Sequence, residues 1–448
     1  MADMHALIAL MREVEDQLAV CMRCGMCQAV CPLYAETGRE ADVARGKLAL
    51  LDGLLGELFE KPDGVTERLN KCLLCGSCQA GCPSGVKVID IFLKARAILT
   101  AYSGLSPGQK IVLRGMLARP ALFDRLTLWG ARFQKLLSRP VNDLLGTSCA
   151  RVASPLIGDR HFKPLADEPF RLTSVARNTP TGRSGYRVAF FVGCLIDKIY
   201  PQVARAVVDV CDRLGVGLFI PEIQGCCGIP ALSAGDTETF QSLVRHNLNQ
   251  IRKASFDYLV TACATCTATI RKLWPQMISD HHSDLRDQAL RLAEKTLDIT
   301  QFLVDKKLIH QVTDTAEEGS EPAGMTYHDP CHLRKSLGVS SQPRELLRSV
   351  PGHRLLEMPG ADQCCGMGGS FNLKYYGISH RIGQRKRDSV VATGCRIVTT
   401  ACPACMLQLT DVLSQARDAV TVKHVIEVYA EGMKRNADAV AAHQTQEN

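Results

Sequence analysis

Near the N-terminus four cysteines, Cys21, Cys24, Cys27 and Cys31, stand in the spacing C-x2-C-x2-C-x3-C, and Pro32 follows the last of them. The same arrangement returns as Cys72, Cys75, Cys78 and Cys82 with Pro83. Thiolates stepped in this way are ligands for iron-sulfur cubanes: three neighbours hold one cluster while the fourth, with its proline, crosses to the other. The expected sets are therefore Cys21, Cys24, Cys27 and Cys82 for one [4Fe-4S] cluster and Cys72, Cys75, Cys78 and Cys31 for a second. Zinc is the bland alternative, but it takes C-x2-C pairs that close a tetrahedron, and three evenly stepped cysteines crowd one.

Ten further cysteines make a second constellation, built by internal repetition. Cys194 recurs as Cys331, Cys226-Cys227-Gly228 as Cys364-Cys365-Gly366, and Cys263 and Cys266 as Cys402 and Cys405, at offsets of 137, 138 and 139 residues. So constant an offset across separate elements implies two copies of one unit. Redox disulfides, zinc sites and additional clusters compete for these residues. Adjacent cysteines bridge each other only with strain, and five thiols exceed the four that zinc takes, so clusters fit best. Gly228 and Gly366 permit the close turn that aims neighbouring cysteines at one centre. Cys266 and Cys405 stand where helices are expected to open, and a helix N-terminus favours thiolate over thiol.

The elements that must position these residues fall into two kinds. Around the first two runs the pattern is helical: Met1 to Val20, an insert from Val43 to Glu60 with leucines at 48, 51, 54, 55 and 58, and Val88 to Tyr102. A period near 3.6 argues for helix, so residues 1–105 read as a two-cluster, alpha-helical ferredoxin-type domain. In each later copy a β-rich run (187–192; 324–327) ends at the single cysteine. A helix (203–214; 343–350) and a short strand (217–220; 354–357) lead to the Cys-Cys-Gly turn. A longer helix (237–253; 379–392) and another strand (258–261; 396–399) lead to the C-x2-C. Alternation of strand and helix predicts a parallel, Rossmann-like α/β sheet in each copy, with the five cysteines at the carboxyl pole where such sheets bind ligands. The expected boundaries are 186–310 and 320–435, joined by a helical stretch from Asp284 to Lys307 and an acidic loop from Asp314 to Glu321, with a disordered tail over 436–448.

Residues 106–185 connect the two halves. Leu122, Leu126, Trp129, Phe133 and Leu136 form an apolar stripe at helical steps, bordered by Arg125, Arg132 and Arg139. A basic amphipathic helix of this kind lies on an anionic membrane or docks a partner; an ordinary packed linker helix is the alternative. Val141 to Gly185 is rich in Pro, Ser, Thr and Gly and reads as a linker, with Cys149 a bystander.

Formal charge is +7 over 448 residues, of which 21 are cysteine. Bound thiolates would offset part of that charge, and no nucleic-acid partner is expected. Acidic residues within the first helical pattern argue against an export signal, and thiols in this number suit a reducing cytoplasm. The longest apolar run, Val188 to Ile196, falls well short of the roughly 20 residues that span a bilayer. Neither a Rossmann fingerprint nor a Walker loop is present, so the chain has no evident means of taking a hydride from an organic substrate.

Taken together, the five-cysteine spacing resembles the CCG-domain proteins, including heterodisulfide reductase, whose motif binds noncubane [4Fe-4S] clusters. The resemblance implies one such cluster at Cys194, Cys226, Cys227, Cys263 and Cys266 and a second at Cys331, Cys364, Cys365, Cys402 and Cys405. With the N-terminal half included, from Arg45-Gly46-Lys47 through Cys82-Pro83-Ser84-Gly85-Val86 to Arg119-Pro120, nearly the whole chain resembles the iron-sulfur subunit of glycolate oxidase. Related subunits serve D-lactate and anaerobic glycerol-3-phosphate dehydrogenases. Both five-cysteine sets are complete here, whereas members of the glycolate group often lack part of one. The implied function is electron relay from an FAD-binding dehydrogenase subunit, which oxidises a small 2-hydroxy acid such as glycolate or D-lactate, to a membrane quinone or another carrier. No substrate oxidation is expected of the chain alone, and its implied place is the cytoplasm or the inner face of the cell membrane. The rival is a heterodisulfide reductase-like catalytic subunit. Cys211 and Cys395 read as core residues, and His328 and His332, which flank Cys331, as shapers of its turn that could also hydrogen-bond a cluster sulfur.

Overall fold

The structure, a computed structural model, describes residues 4–58, 61–151, 158–173, 177–278, 283–309 and 322–446, with side chains described between 11 and 435. The acidic loop expected at Asp314 to Glu321 lies outside the described residues.

Helices Met4–Leu18, Ala44–Leu55 and Val88–Ser103 surround the first two cysteine runs. Leu48 and Leu51 on one, and Ile91, Phe92, Ala95 and Leu99 on another, are buried, which is the apolar stripe that makes these segments helical in context. The cysteine runs themselves are loops of matched backbone. Arg23 and Leu74, each just before the second cysteine of its run, take φ of 56° and 53°, and Gly25 and Gly76 follow at 85° and 74°. A left-handed non-glycine residue costs on the order of 1–3 kcal/mol and persists only where its surroundings impose it. Two at equivalent positions mean that both loops wrap a centre in the same way.

After Pro107–Lys110 the chain makes a π-helical turn, Ile111–Leu117, and then the long helix Pro120–Leu137. Asp124 holds this helix to the body: its carboxylate meets Arg171 at 2.8 Å and Lys198 at 2.7 Å, and the same two cations flank buried Asp197. The segment expected to be a plain linker instead carries defined structure among its described residues. Strands β1 (Ser138–Asn142) and β2 (Thr147–Ala150) form an antiparallel hairpin. The hairpin and the chain beyond it strap across the second copy through Thr147 to Ser414 (2.6 Å), His161 N–H to Asp411 (2.8 Å) and Arg160 to the Asn372 carbonyl (2.7 Å). Turn-rich composition hid these long-range bonds.

Each copy is a four-stranded, all-parallel sheet. The first uses β3 (Arg187–Phe190), β4 (Gly217–Phe219), β5 (Tyr258–Thr261) and β6 (Thr296–Asp298) in the spatial order β4-β3-β5-β6. The second uses β7 (Ala323–His328), β8 (His353–Leu356), β9 (Ile397–Thr400) and β10 (Thr421–His424) in the equivalent order β8-β7-β9-β10. The fold is therefore α/β, a helical N-terminal region followed by two duplicated Rossmann-like sheets. The fourth strand of each copy was not foreseen. The three residues of β6 interrupt a stretch expected to be helical throughout, and a buried strand that short carries no period of its own. The expected disordered tail also needs correction: the last helix runs from Val425 to Gln446.

The units are locked together at close approaches. Arg96 donates to the Ser233 carbonyl (2.8 Å) and Thr100 to the Ala234 carbonyl (3.0 Å), and between them Gly235, at φ +82°, leaves no room for a side chain: a Cβ there would lie 2.3 Å from the Arg96 carbonyl oxygen. Glu36 of the N-terminal region pairs with Arg381 and Arg385 of the second copy at 2.8 and 2.9 Å.

Candidate iron-sulfur centres

Backbone topology brings the predicted thiols together in three places. One small cavity is lined by Cys21, Cys24, Cys27 and Cys82. The next is lined by Cys31, Cys72, Cys75 and Cys78, and Cys78 stands in the wall of both. The fourth cysteine of each run thus faces the cavity of the other run, as the crossing of ligands requires. Burial pushes the Cys31 thiol up to about 11 and Cys78 well up.

The third place was not anticipated in its form. All ten remaining cysteines line a single cavity of about 540 Å³. In each sheet the lone cysteine follows the first strand (β3, β7), the Cys-Cys-Gly turn follows the second, and the C-x2-C follows the third (β5, β9). The order 2-1-3-4 reverses direction between the first and third strands, and their carboxyl ends are where such a sheet opens a crevice. The two crevices then face each other. The Ala264 N–H donates to the Ala401 carbonyl at 3.1 Å, and the Thr265 hydroxyl lies 3.6 Å from the Cys402 sulfur, so the two C-x2-C turns touch.

Local chemistry within each set follows from its turns. Cys263 and Cys402 are the N-caps of helices Ala264–Ala268 and Pro403–Ala416, placing Cys266 and Cys405 in first turns. Gly228 and Gly366 sit at φ +95° and +94°, and a Cβ on Gly366 would lie 2.6 Å from the Ser379 carbonyl. Sulfurs crowd accordingly, with Cys194 and Cys226 4.0 Å apart. Neighbouring thiols and then burial push Cys226, Cys266, Cys331 and Cys405 well up.

This donor set fits iron-sulfur clusters. It is thiol throughout, and thiolates brought so close and so deep repel one another unless iron compensates their charge. The groups that the cavities would hold are also contiguous. Leu73 lines both the second and third cavities. Cys75 packs with Cys364 in one buried cluster, and the Cys364 thiol, then burial, push Cys75 well up. Lys335 donates to Ser77 (2.7 Å), whose hydroxyl lies 3.3 Å from the Cys75 sulfur.

Two features of the site carried no sequence signal. The wall of the large cavity is completed by Gly108, Gln109, Val112 and Leu113 from the helix preceding the basic one. Lys386, which reads as one charge among many in Arg385-Lys386-Arg387, is 2% exposed and bonds the Gly360 carbonyl at 2.6 Å beside Cys364 and Cys365, where burial pulls it down to about 8. The remaining cysteines lie apart: Cys211 and Cys395 are buried in the core, and Cys149 sits in β2 at 3.3 Å from Arg139. His332 bonds Thr265 (3.1 Å) and the Leu74 carbonyl (3.2 Å), joining both copies to the N-terminal region.

Known proteins align with this arrangement. Residues 17–86 match the 4Fe-4S dicluster domain, and residues 188–271 and 325–410 each match the cysteine-rich CCG domain. The probable glycolate oxidase iron-sulfur subunit of Bacillus subtilis is 30% identical over 88% of this chain and 89% of its own. Lactate utilization protein A of an Exiguobacterium species is 32% identical over 55% of this chain and 98% of its own. One subunit of the fumarate reductase (CoM/CoB) of Methanothermobacter marburgensis is 27% identical over 92% of this chain and 72% of its own. A hypothetical protein from Helicobacter pylori, at 9% identity, shares the fold with a TM-score of 0.51 over 97% of this chain and 77% of that one. With both N-terminal cavities inside the dicluster match and the ten-cysteine cavity inside the two CCG matches, the chain belongs to the family of the glycolate oxidase iron-sulfur subunit.

Proposed function

We propose that this chain is the electron-transfer subunit of a flavin-dependent 2-hydroxyacid dehydrogenase. A partner flavoprotein oxidises glycolate or D-lactate, and two cubane and two noncubane [4Fe-4S] clusters carry the electrons onward one at a time. The observation that carries this reading is contiguity: the first cavity shares Cys78 with the second, and the second meets the ten-cysteine cavity at Cys75 and Cys364. A row of adjoining one-electron centres is suited to relay. Cys24, in the first set, is exposed, which makes that end the natural entry for electrons from a partner.

At the other end, the helix Pro120–Leu137 presents its apolar stripe outward. Trp129 is 64% and Leu136 71% exposed, while Asp124 and Ala131 face the body. No acidic residue stands on the outward face, and Arg125, Arg132 and Lys135 do. That charge pattern suits an anionic leaflet and supports a peripheral position for the relay on a membrane, from which a quinone is a fitting acceptor. Among the described residues no helix is long and apolar enough to cross a membrane.

Ten thiols around one roomy cavity also favour a second reading, in which disulfide chemistry takes place in the cavity itself. The two separate by assay. As a relay, the isolated chain reduces no disulfide from a one-electron donor, whereas the complex oxidises glycolate or lactate with an artificial acceptor. Disulfide turnover by the isolated chain would overturn the relay reading in favour of the second.

A further inference from the structure

The two five-cysteine sites are alike in their thiols and unlike behind them. Three residues before its first cysteine, the first copy has Phe191 and the second has His328. Phe191 meets Trp274 edge-on with ring centres 6.5 Å apart, and the Trp274 N–H is already given to the Cys227 carbonyl at 2.8 Å, so this ring pair leaves no N–H over. His328 closes β7 with no exposed surface. One of its ring nitrogens and the sulfurs of Cys365 and Cys405 all lie within 4.8 Å of one another, and neither ring nitrogen has a hydrogen-bond partner among the described residues.

An imidazole buried without partners forfeits the hydrogen bonds it makes in water, about 1–3 kcal/mol for each unsatisfied group. Such a group persists where something at the site uses it. Neutral or charged, an imidazole carries at least one N–H to give. The two sulfurs stand within 4.8 Å of the ring without yet bonding it, and the Ala361 backbone is another polar neighbour.

We infer that His328 is a positioning residue of the second five-cysteine site: its ring N–H donates to the thiolate of Cys365 or Cys405, and this makes the second site the more readily reduced of the two. The inference rests on the reading that both sites hold clusters. A hydrogen bond to a ligand sulfur withdraws charge from the cluster and strengthens when the cluster gains an electron, so it stabilises the reduced state. The second site is also the one that Cys75 adjoins. The electron's first stop beyond the cubanes is thereby the site with the greater pull, and duplication of ligands does not mean duplication of role.

The test is a redox titration of the holoprotein followed by electron paramagnetic resonance, with iron counted on the same samples. In the wild-type chain the two five-cysteine signals should titrate apart. His328→Leu, which keeps bulk but no donor, should disfavour reduction of one signal about tenfold, ~59 mV for one electron, with iron content unchanged. His328→Asn, which keeps an N–H, should stay near wild type. If leucine does not fold, His328→Phe, the first copy's own residue type, makes the same comparison. Potentials that do not move in the donor-less variant overturn the inference. Loss of about four irons in both the leucine and asparagine variants also overturns it, because the imidazole is then an iron ligand. Wild-type protein with no iron at the five-cysteine sites would instead defeat the functional reading on which it rests.

Discussion

Replacing Cys75 by serine is expected to stop electron flow between the N-terminal cavities and the ten-cysteine cavity. Cys75 is a thiol of the second set and also the point where that set packs on Cys364. On the proposed assignment its loss removes a cluster ligand and disturbs the contact between the two cavities at once. Removing a group that merely supports a metal ligand costs 10–100-fold in affinity or activity. Turnover of the complex with an acceptor that draws on the far end should therefore fall by more than about a hundredfold, with one ferredoxin-type signal missing from the electron paramagnetic resonance spectrum. Fold should survive, because serine keeps nearly the shape of cysteine and the neighbouring Leu73, Phe92 and Leu93 stay buried around it. Unchanged turnover and an unchanged spectrum would refute both the ligand role and the path.

Changing Arg125, Arg132 and Arg139 together to Glu is expected to abolish binding to anionic vesicles. Each basic residue near an anionic surface adds about 1 kcal/mol, so losing three costs about 3 kcal/mol, more than a hundredfold, before the repulsion of the new carboxylates is counted. Wild-type binding should also weaken with salt, since the screening length falls from about 10 Å at 0.1 M to about 3 Å at 1 M. The three arginines stand clear of the Asp124, Arg171, Lys198 and Asp197 network that fixes the helix; Arg125 and Arg132 lie on the helix itself, and Arg139 lies just past it in β1, 3.3 Å from the Cys149 sulfur. Vesicle binding in the triple variant equal to wild type contradicts the membrane reading. A wild type that ignores vesicles, with a triple variant that no longer assembles with its flavoprotein, assigns the stripe to that partner.

How much of this could be read from the chain depended on the range of the interactions. Ligand spacing is local, so the two cysteine runs and the duplicated sets were legible residue by residue. So were the first three strands of each copy, because each leads directly into a cysteine turn. What could not be read was anything decided between segments far apart in sequence. Each five-cysteine set was expected at the carboxyl pole of its own sheet; that the two share one cavity, with Ala264 hydrogen-bonded to Ala401 across the copies, was not legible. The 141–185 segment has a linker's composition, yet Thr147, Arg160 and His161 fasten it to residues more than 200 positions away. Trp129 and Phe133 could equally have been core; only the fold shows that the stripe points away from it. His328 and His332 looked alike on either side of Cys331, and their difference lies entirely in partners that three-dimensional packing gave to one and withheld from the other.

The claim on which the account turns is that the ten-cysteine cavity holds clusters as the two N-terminal cavities do. Counting iron and acid-labile sulfide in the anaerobically isolated chain tests it most directly. Four occupied [4Fe-4S] sites predict about 16 irons and as much sulfide per chain. A count of about 8, with both ferredoxin-type signals present, would show the ten thiols to be free of clusters and would contradict the relay through them.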